Sequence, residues 1–142
     1  MFESLVATTT GTSGAGAVES WQRVESAACA RRVASIAAML DTAHAADGSA
    51  ERDHWSLDTW DAVAAHIGAT SHITTHAASN HLIIAAALHH RFPQVAAVFA
   101  DGLITYALVR TIVTRGAPHV LEQIEAQHGE DVFTPASRII QD

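Results

Sequence analysis

Breaks in an otherwise apolar helical pattern constrain the fold of this chain more than any other feature. From Trp55 to Val113, apolar residues recur every three or four positions, as they do on one face of a helix. Glycine or proline interrupts the pattern along the whole chain at Gly48, Gly68, Pro93, Gly102, Gly116 and Pro118. No segment alternates polar and apolar residues long enough to predict a strand. We therefore predict an all-α fold of six or seven helices.

The first predicted helix is the longest and runs from about Ala17 to Gly48. Apolar residues three or four positions apart give it one continuous stripe. The stripe contains Val18, Trp21, Val24, Ala28, Val33, Ile36, Leu40 and Ala43. Residues 1–17 are mostly Thr, Ser, Gly and Ala, and we predict a loose arm there. Residues 18–142 are predicted to form a single helical domain.

Two helices in the middle of the chain are predicted to form a helix-turn-helix-like core. Ser56 or Asp58 would cap the first of them, and Gly68 would end it. Thr70 or Ser71 would cap the second, which runs to about His90. Further helices are predicted from Pro93 to Asp101-Gly102, from Thr105 to about Gly116, from Pro118 to about Gly129, and from Thr134-Pro135 onward.

The composition of these 142 residues narrows the protein class and the compartment. Apolar residues make up 49% and charged residues 16%, a balance typical of globular domains. No apolar run approaches the roughly 18 residues that cross a bilayer, and the first twenty residues lack the basic start of a secretory signal. Cys29 is the only cysteine, so no internal disulfide can form. We expect a cytoplasmic protein that does not enter a membrane.

Candidate nucleic-acid-binding residues lie on the helix predicted from residue 71 to His90. Its polar face would carry His72, Thr75, His76, Ser79 and Asn80, which can bond base edges or phosphates. However, no Arg or Lys occurs between Arg52 and Arg91, and the net charge is −7, which weakens attraction to phosphate. Permanent cations for this surface would be Arg91, Arg110 and Arg115. The alternative is a polar face that is merely solvated.

Other site chemistries find less support. His72 and His76 have the spacing with which two imidazoles share a metal on a helix, but the chain has no cysteine pair and no His-Glu-x-x-His motif. Cys29 stands between two alanines and is expected to be an ordinary buried thiol. No P-loop, G-x-S-x-G or G-x-G-x-x-G sequence occurs. We predict no metal site, no catalytic residue, no cofactor and no small-molecule substrate.

The long first helix is the candidate for self-association. Packing within its own bundle is the simpler explanation of its apolar stripe. If the stripe exceeds what the bundle can cover, Trp21, Val24 and Ile36 would be shared with a second copy. The sequence then predicts a homodimer.

Two long phrases of this sequence resemble a known family. They are HWSLDTWDAVAAHIGA and LHHRFPQVAAVFADGLITYALVRTIVTR. Their most specific part is R-x-P-x-V-A-x-x-F-A-x-G-x-I-x-Y-x-L-V, from Arg91 to Val109. This pattern resembles the mycobacterial thirteen-E-twelve repeat proteins, in the actinobacterial family called domain of unknown function 222. The likeness covers most of the chain.

The resemblance implies a helical domain that stands ahead of an HNH endonuclease domain in family members. An HNH site needs a ββα metal fold, and the residues from Phe133 to Asp142 cannot supply one. We therefore expect that this chain is not an enzyme. The function implied is a non-catalytic accessory domain that targets nucleic acid. The alternative is a protein-interaction or dimerisation module with no nucleic-acid contact.

Overall fold

Helices account for the regular structure of the described part of this chain. The computed structural model describes residues 1–46 and 57–115, and within these ranges it contains six helices and no strand. They are α1 (Phe2–Thr10), α2 (Gly14–Ala46), α3 (Leu57–Ser71), α4 (Thr75–His90), α5 (Pro93–Ala100) and α6 (Tyr106–Arg115). The predicted all-α class and the long N-terminal helix are confirmed. The predicted helix end at Gly48, the cap at Ser56 and the helices starting at Pro118 and Thr134 lie outside the described residues.

The N-terminal residues differ from the loose arm predicted for 1–17. Residues 2–10 form α1, and α2 begins at Gly14 rather than near Ala17. The Thr9 side chain is buried, and its hydroxyl donates to the Leu5 carbonyl oxygen at 2.7 Å. The guanidinium of Arg31 on α2 lies 4.5 Å from the centre of the Phe2 ring. Contacts with α2 therefore order a segment whose composition alone predicts little structure.

Glu3 adds an electrostatic contact to the same helix pair. Its carboxylate lies 3.9 Å from Arg31 and 3.7 Å from the N-terminal ammonium. A hydrogen bond from the backbone of Glu3, and then the charges of Arg31 and the N-terminus, hold the pKa of this carboxyl below its usual 4.5 against the opposing effect of desolvation. Because the carboxyl is fully exposed, this contact orients α1 more than it stabilises the fold.

The chain forms two compact units. Unit 2 is the continuous stretch Arg32–His89, and unit 1 combines Met1–Arg31 with the residues from His90 onward. Helix α2 contributes residues 14–31 to unit 1 and residues 32–46 to unit 2. The sequence prediction of one domain over residues 18–142 stays a prediction.

Each unit has its own set of buried apolar side chains. In unit 1 they are Ala27, Ala30, Val95, Val98, Phe99, Ile104, Val109, Ile112 and Val113. In unit 2 they are Val33, Ile36, Ala37, Leu40, Val63, Ala64, Ile67, Ala78, Leu82, Ile84, Ala85, Ala87 and Leu88. Burial of a Val, Leu, Ile or Phe side chain contributes about 1.5–3 kcal/mol, so these residues dominate the stability of each unit.

The connection between α5 and α6 is fixed by glycine chemistry, as the sequence predicts. Gly102 follows the C-cap residue Asp101 with a φ of 75°, and its N–H donates to the Phe99 carbonyl at 2.9 Å. The next N–H, of Leu103, donates to the Val98 carbonyl at 3.3 Å. This is the Schellman arrangement, in which a left-handed residue ends a helix. The predicted end of α5 at Asp101-Gly102 is confirmed.

Among the described helices, none by itself is long and apolar enough to cross a membrane. Taken together, the consecutive pair α4 and α5 does pass that test, on length and composition alone.

Candidate nucleic-acid interface

The turn between α3 and α4 lies later in the chain than predicted. The Ile73 N–H donates to the Gly68 carbonyl at 3.0 Å, and His72 between them has a φ of 58°. This is a second Schellman arrangement, with His72 in the left-handed position usually held by glycine. Helix α3 therefore continues to Ser71, and the prediction that Gly68 ends it is wrong. Gly68 instead lets the following turn pack closely against α3, because a Cβ at this position would lie 3.0 Å from the Ile73 carbonyl oxygen.

The predicted recognition helix is correspondingly shorter. Thr74 caps α4, since its hydroxyl oxygen accepts a hydrogen bond from the Ala77 N–H at 3.0 Å. The predicted caps Thr70 and Ser71 belong to the last turn of α3, so that prediction is also wrong. His72 lies in the turn, outside α4. His72 and His76 thus do not share a face of one helix, which removes the geometric basis for pairing them on a metal.

The rest of the predicted polar face is only partly available. His76 and Asn80 are exposed on α4, and Thr75 is its exposed first residue. Ser79 is half-buried, and its hydroxyl oxygen accepts a hydrogen bond from the Trp60 indole N–H at 2.9 Å. Ile83 follows Asn80 by three residues and is 50% exposed. The outward face of α4 therefore mixes an imidazole and an amide with an apolar side chain and carries no permanent charge.

Ser79 forms a hydrogen bond with a residue of another helix, which the sequence could not show. The sequence predicts Ser79 on a polar helix face, but its bond with Trp60 joins α3 to α4 within unit 2. Sequence reasoning also missed an ion-pair contact in this unit, where His89 Nε2 lies 3.4 Å from Asp41 Oδ2. The Trp60–Ser79 and His89–Asp41 pairs both depend on how helices pack, so no local sequence pattern predicts them.

The three predicted arginines belong to unit 1. Arg110 and Arg115 project from α6, and Arg91 precedes α5 with its guanidinium 5.5 Å from the centre of the Phe92 ring. All three are exposed, and within the described residues none lies within ion-pair distance of a carboxylate. Asp101 is the only acidic residue between Arg91 and Arg115. Within the part of the chain that the structure describes, this stretch is therefore a source of positive charge without a carboxylate partner, and we call Arg91, Arg110 and Arg115 the uncompensated arginines.

The other described arginines are engaged within the fold. Arg23 Nε donates to the Asp101 carbonyl oxygen at 3.0 Å. Arg31 contacts α1 as described above, and Arg32 Nη2 lies 3.5 Å from His81 Nδ1. The candidate residues consequently fall into two groups, with Thr75, His76, Ser79 and Asn80 in unit 2 and the uncompensated arginines in unit 1.

The predicted dimerisation residues are exposed unequally. Trp21 is 46% exposed and Val24 is half-buried, whereas Ile36 is 6% exposed. Val18, which is 73% exposed, lies five helical turns before Ile36 and hence on the same side of α2. That side is covered at Ile36, in unit 2, and uncovered at Val18. Ile36 is a core residue, so the open part of the stripe is Val18, Trp21 and Val24. The assignment of Trp21, Val24 and Ile36 to a dimer interface stays a prediction.

Comparison with known proteins identifies the family. Residues 20–128 match the family model described as Domain of unknown function (DUF222). The chain is a member of the DUF222 family. The matched region begins within α2 and includes the α3–α4 turn and all three uncompensated arginines.

The DUF222 relatives are much longer proteins. Uncharacterized protein MT2160 of Mycobacterium tuberculosis (strain CDC 1551 / Oshkosh) is 37% identical over 119 residues, which cover 80% of this chain and 21% of that protein. Uncharacterized protein Rv3776 of Mycobacterium tuberculosis (strain ATCC 25618 / H37Rv) is 35% identical over 99 residues, covering 70% of this chain and 18% of that protein. The chain thus spans about a fifth of the length of these curated relatives. No solved structure gives a significant match.

Proposed function

We propose that this DUF222 domain is a non-catalytic accessory domain that binds nucleic acid mainly through phosphate groups. The observation that carries the proposal is the set of uncompensated arginines, Arg91, Arg110 and Arg115. Phosphate contacts normally supply most of the affinity for nucleic acid, and guanidinium groups are the side chains best suited to them. An arginine already held by a carboxylate would gain less from meeting a phosphate.

The proposal assigns different roles to the two groups of residues. The arginines of unit 1 make permanent, sequence-independent phosphate contacts. His76 and Asn80 on α4 make weaker polar contacts, because neither side chain carries a permanent charge. His72 sets the turn that positions the first residues of α4, and Ser79 joins α4 to α3. Base-specific recognition is a minor part of the interaction.

The setting of this function rests on the resemblance and on the length of the relatives. The motif from Arg91 to Val109 resembles thirteen-E-twelve repeat proteins, in which an HNH endonuclease domain follows the helical domain. Relatives about five times longer than the matched region leave room for such a domain. We assign cleavage to that separate domain and nucleic-acid contact to this one, in the cytoplasm. Plasmid DNA incubated with this chain and divalent metal ions should accordingly stay intact.

Salt-dependent DNA binding tests the proposal directly. Binding of a fluorescent duplex would be measured by anisotropy between about 50 and 200 mM salt, where each phosphate contact contributes about 0.9 to the log–log slope. Three contacts predict a slope near −2.7, and Arg110→Gln should lower its magnitude by about 0.9. Arg32→Gln is the matched control, because it removes the same charge from a residue that contacts His81. Equal effects of the two substitutions, or no binding at low salt, would contradict the proposal.

The exposed part of the α2 stripe favours the second candidate function, a protein-interaction or dimerisation module. Val18 and Trp21 are large apolar side chains exposed by 73% and 46% on one helix. A contact through them would be mainly apolar and nearly insensitive to salt. The same anisotropy series therefore separates the two functions, and sedimentation of the protein tests the second one independently.

A further inference from the structure

Unit 1 contains a cleft that neither nucleic-acid binding nor dimerisation uses. It lies between the N-terminal part of α2 and the connection from α5 to α6, and its volume is about 410 Å³. Ligand sites in proteins occupy roughly 300–1,000 Å³, so this volume suits a small molecule. Arg23, Gln22 and Ser26 lie on the α2 side, and Leu103, Ile104 and Leu108 lie on the other. The cleft therefore has one polar wall and one apolar wall.

The walls of the cleft are held in place before any ligand arrives. Arg23 Nε donates to the Asp101 carbonyl oxygen at 3.0 Å, which ties the α5–α6 connection to α2. Gly102 touches α2 so closely that a Cβ there would collide with the Arg23 carbonyl oxygen. The Schellman hydrogen bonds of Gly102 and Leu103 fix the same segment from the α5 side. Binding to such a preformed site avoids most of the cost of ordering loops.

The polar wall can donate further hydrogen bonds to an acceptor group of a ligand. Arg23 uses Nε within the fold, and no carboxylate of the described residues lies within ion-pair distance of its guanidinium. Ser26 is only 4% exposed, yet its Oγ receives a contact of 3.4 Å from Gln22 Nε2, which is long for an N–H···O bond. A planar guanidinium beside a hydroxyl and an amide matches the geometry of a carboxylate.

Glu19 restricts the charge of the ligand. It lines the cleft one helical turn before Arg23, on the same wall. One negative charge on a ligand can pair with Arg23, but a second one would be repelled by Glu19. The cleft is thus better suited to a monoanion than to a dianion such as a phosphate monoester.

We propose that this cleft binds a small amphipathic monocarboxylate. The carboxylate pairs with Arg23 beside Ser26, and a short apolar chain packs against Leu103, Ile104 and Leu108. This site is separate from the exposed arginines of α6 and from the Val18–Trp21 surface. It would give the domain a small-molecule ligand in addition to its macromolecular partner.

Hexanoate is a suitable probe, with hexylammonium and 1-hexanol as partners of the same chain length. Amide chemical shifts of the full chain would be followed by NMR during titration with each compound. Hexanoate should cause saturable shifts at residues 102–108 and at Ser26, hexanol smaller ones, and hexylammonium none there. Arg23→Gln should weaken hexanoate binding by about tenfold or more, because a charge-assisted contact is lost. Arg31→Gln, on the same helix but outside the cleft, should leave it unchanged.

A second variant keeps the test decisive if Arg23→Gln disturbs the fold. Glu19→Gln leaves every hydrogen bond of the α5–α6 connection in place, should strengthen hexanoate binding, and should allow hexyl phosphate to bind. The proposal is overturned if hexanoate shifts fail to saturate, if hexylammonium produces the same shifts, or if Glu19→Gln leaves both anions unaffected.

Discussion

Replacing His72 by glycine should stabilise the protein by about 0.5–1 kcal/mol. His72 has a φ of 58° at the end of α3, a conformation that costs an L-residue roughly 1–2 kcal/mol. Glycine adopts it without that cost but loses about 0.4–1 kcal/mol through its greater freedom in the unfolded chain. The difference between these opposing effects gives the expected gain, and the exposed side chain of His72 offers little to offset it.

Urea denaturation followed by circular dichroism and tryptophan fluorescence would measure the change. The matched control is His66→Gly, which removes another exposed imidazole from the interior of α3. There glycine enters a helical conformation and should lower the free energy of unfolding by roughly 0.3–0.5 kcal/mol. The two substitutions are chemically identical, so their opposite signs would isolate the effect of backbone conformation. For a chain of this size, the gain at His72 corresponds to about 2–4 °C in Tm.

The reasoning would be refuted if both variants lost stability to the same extent. That result would mean either that the turn at His72 is not left-handed in solution or that the imidazole contributes contacts outweighing its strain. His72→Val distinguishes these explanations. A β-branched residue is strongly disfavoured at this φ and should destabilise the protein only if the turn is left-handed.

Three further predictions concern other contacts of the fold. Gly102→Ala should lower the free energy of unfolding, measured by urea denaturation, by about 2–4 kcal/mol, because strain at φ 75° adds to a collision with the Arg23 carbonyl oxygen. Gly14 has a φ of 64° but no atom near its missing Cβ, so Gly14→Ala should lower it by only about 1 kcal/mol. Similar losses at both positions would contradict the close contact of Gly102 with α2. Ser79→Ala should lower the free energy of unfolding by about 1–2 kcal/mol in the wild type. In a Trp60→Phe background it should change almost nothing, because the indole N–H is absent, and additive losses would rule out the bond. If the α2 stripe supports a dimer, Trp21→Glu should shift sedimentation at micromolar concentration from dimer to monomer while Ala38→Glu should not, and a wild-type monomer rejects the dimer.

Helix boundaries could be predicted from sequence where one residue type had a single role. Pro93 opens α5 and Gly102 ends it, because both residues are used for their backbone preferences. Gly68 misled the prediction because its missing side chain serves close packing against the turn, while His72 takes the left-handed position. Local sequence cannot distinguish these two uses of glycine.

The N-terminal helix illustrates how tertiary packing overrides propensity. Thr8, Thr9 and Thr10 are weak helix formers, and each hydroxyl bonds back to the carbonyl four residues earlier. Thr9 is buried, and the Arg31 guanidinium of α2 stacks over the Phe2 ring. Composition therefore predicted a loose arm, since Arg31 lies outside residues 1–17.

The sequence could predict the residue types of the candidate site, but not which of these residues are accessible or which unit each belongs to. The arginines from Arg91 to Arg115 could be chosen from charge alone, and their lack of carboxylate neighbours in the described structure strengthens that choice. The sequence could not show that Ser79 is bonded to Trp60 or that Ile36 is buried, so both remained among the candidate site residues. Periodicity specifies which side of a helix a residue occupies, but not what covers that side along its length.

The discontinuous composition of unit 1 has a kinetic consequence. All residues of unit 2 are contiguous, whereas the contact between Arg23 and Asp101 closes a loop of 78 residues. During synthesis from the N-terminus, the whole of Arg32–His89 leaves the ribosome before α5 and α6 do. Unit 2 can therefore fold on the nascent chain, while the first half of α2 waits for its partners. Formation of the contacts of Arg23 and Gly102 between α2 and the α5–α6 connection is then the late, slow step. The chain must lose the entropy of closing a long loop before these contacts stabilise it.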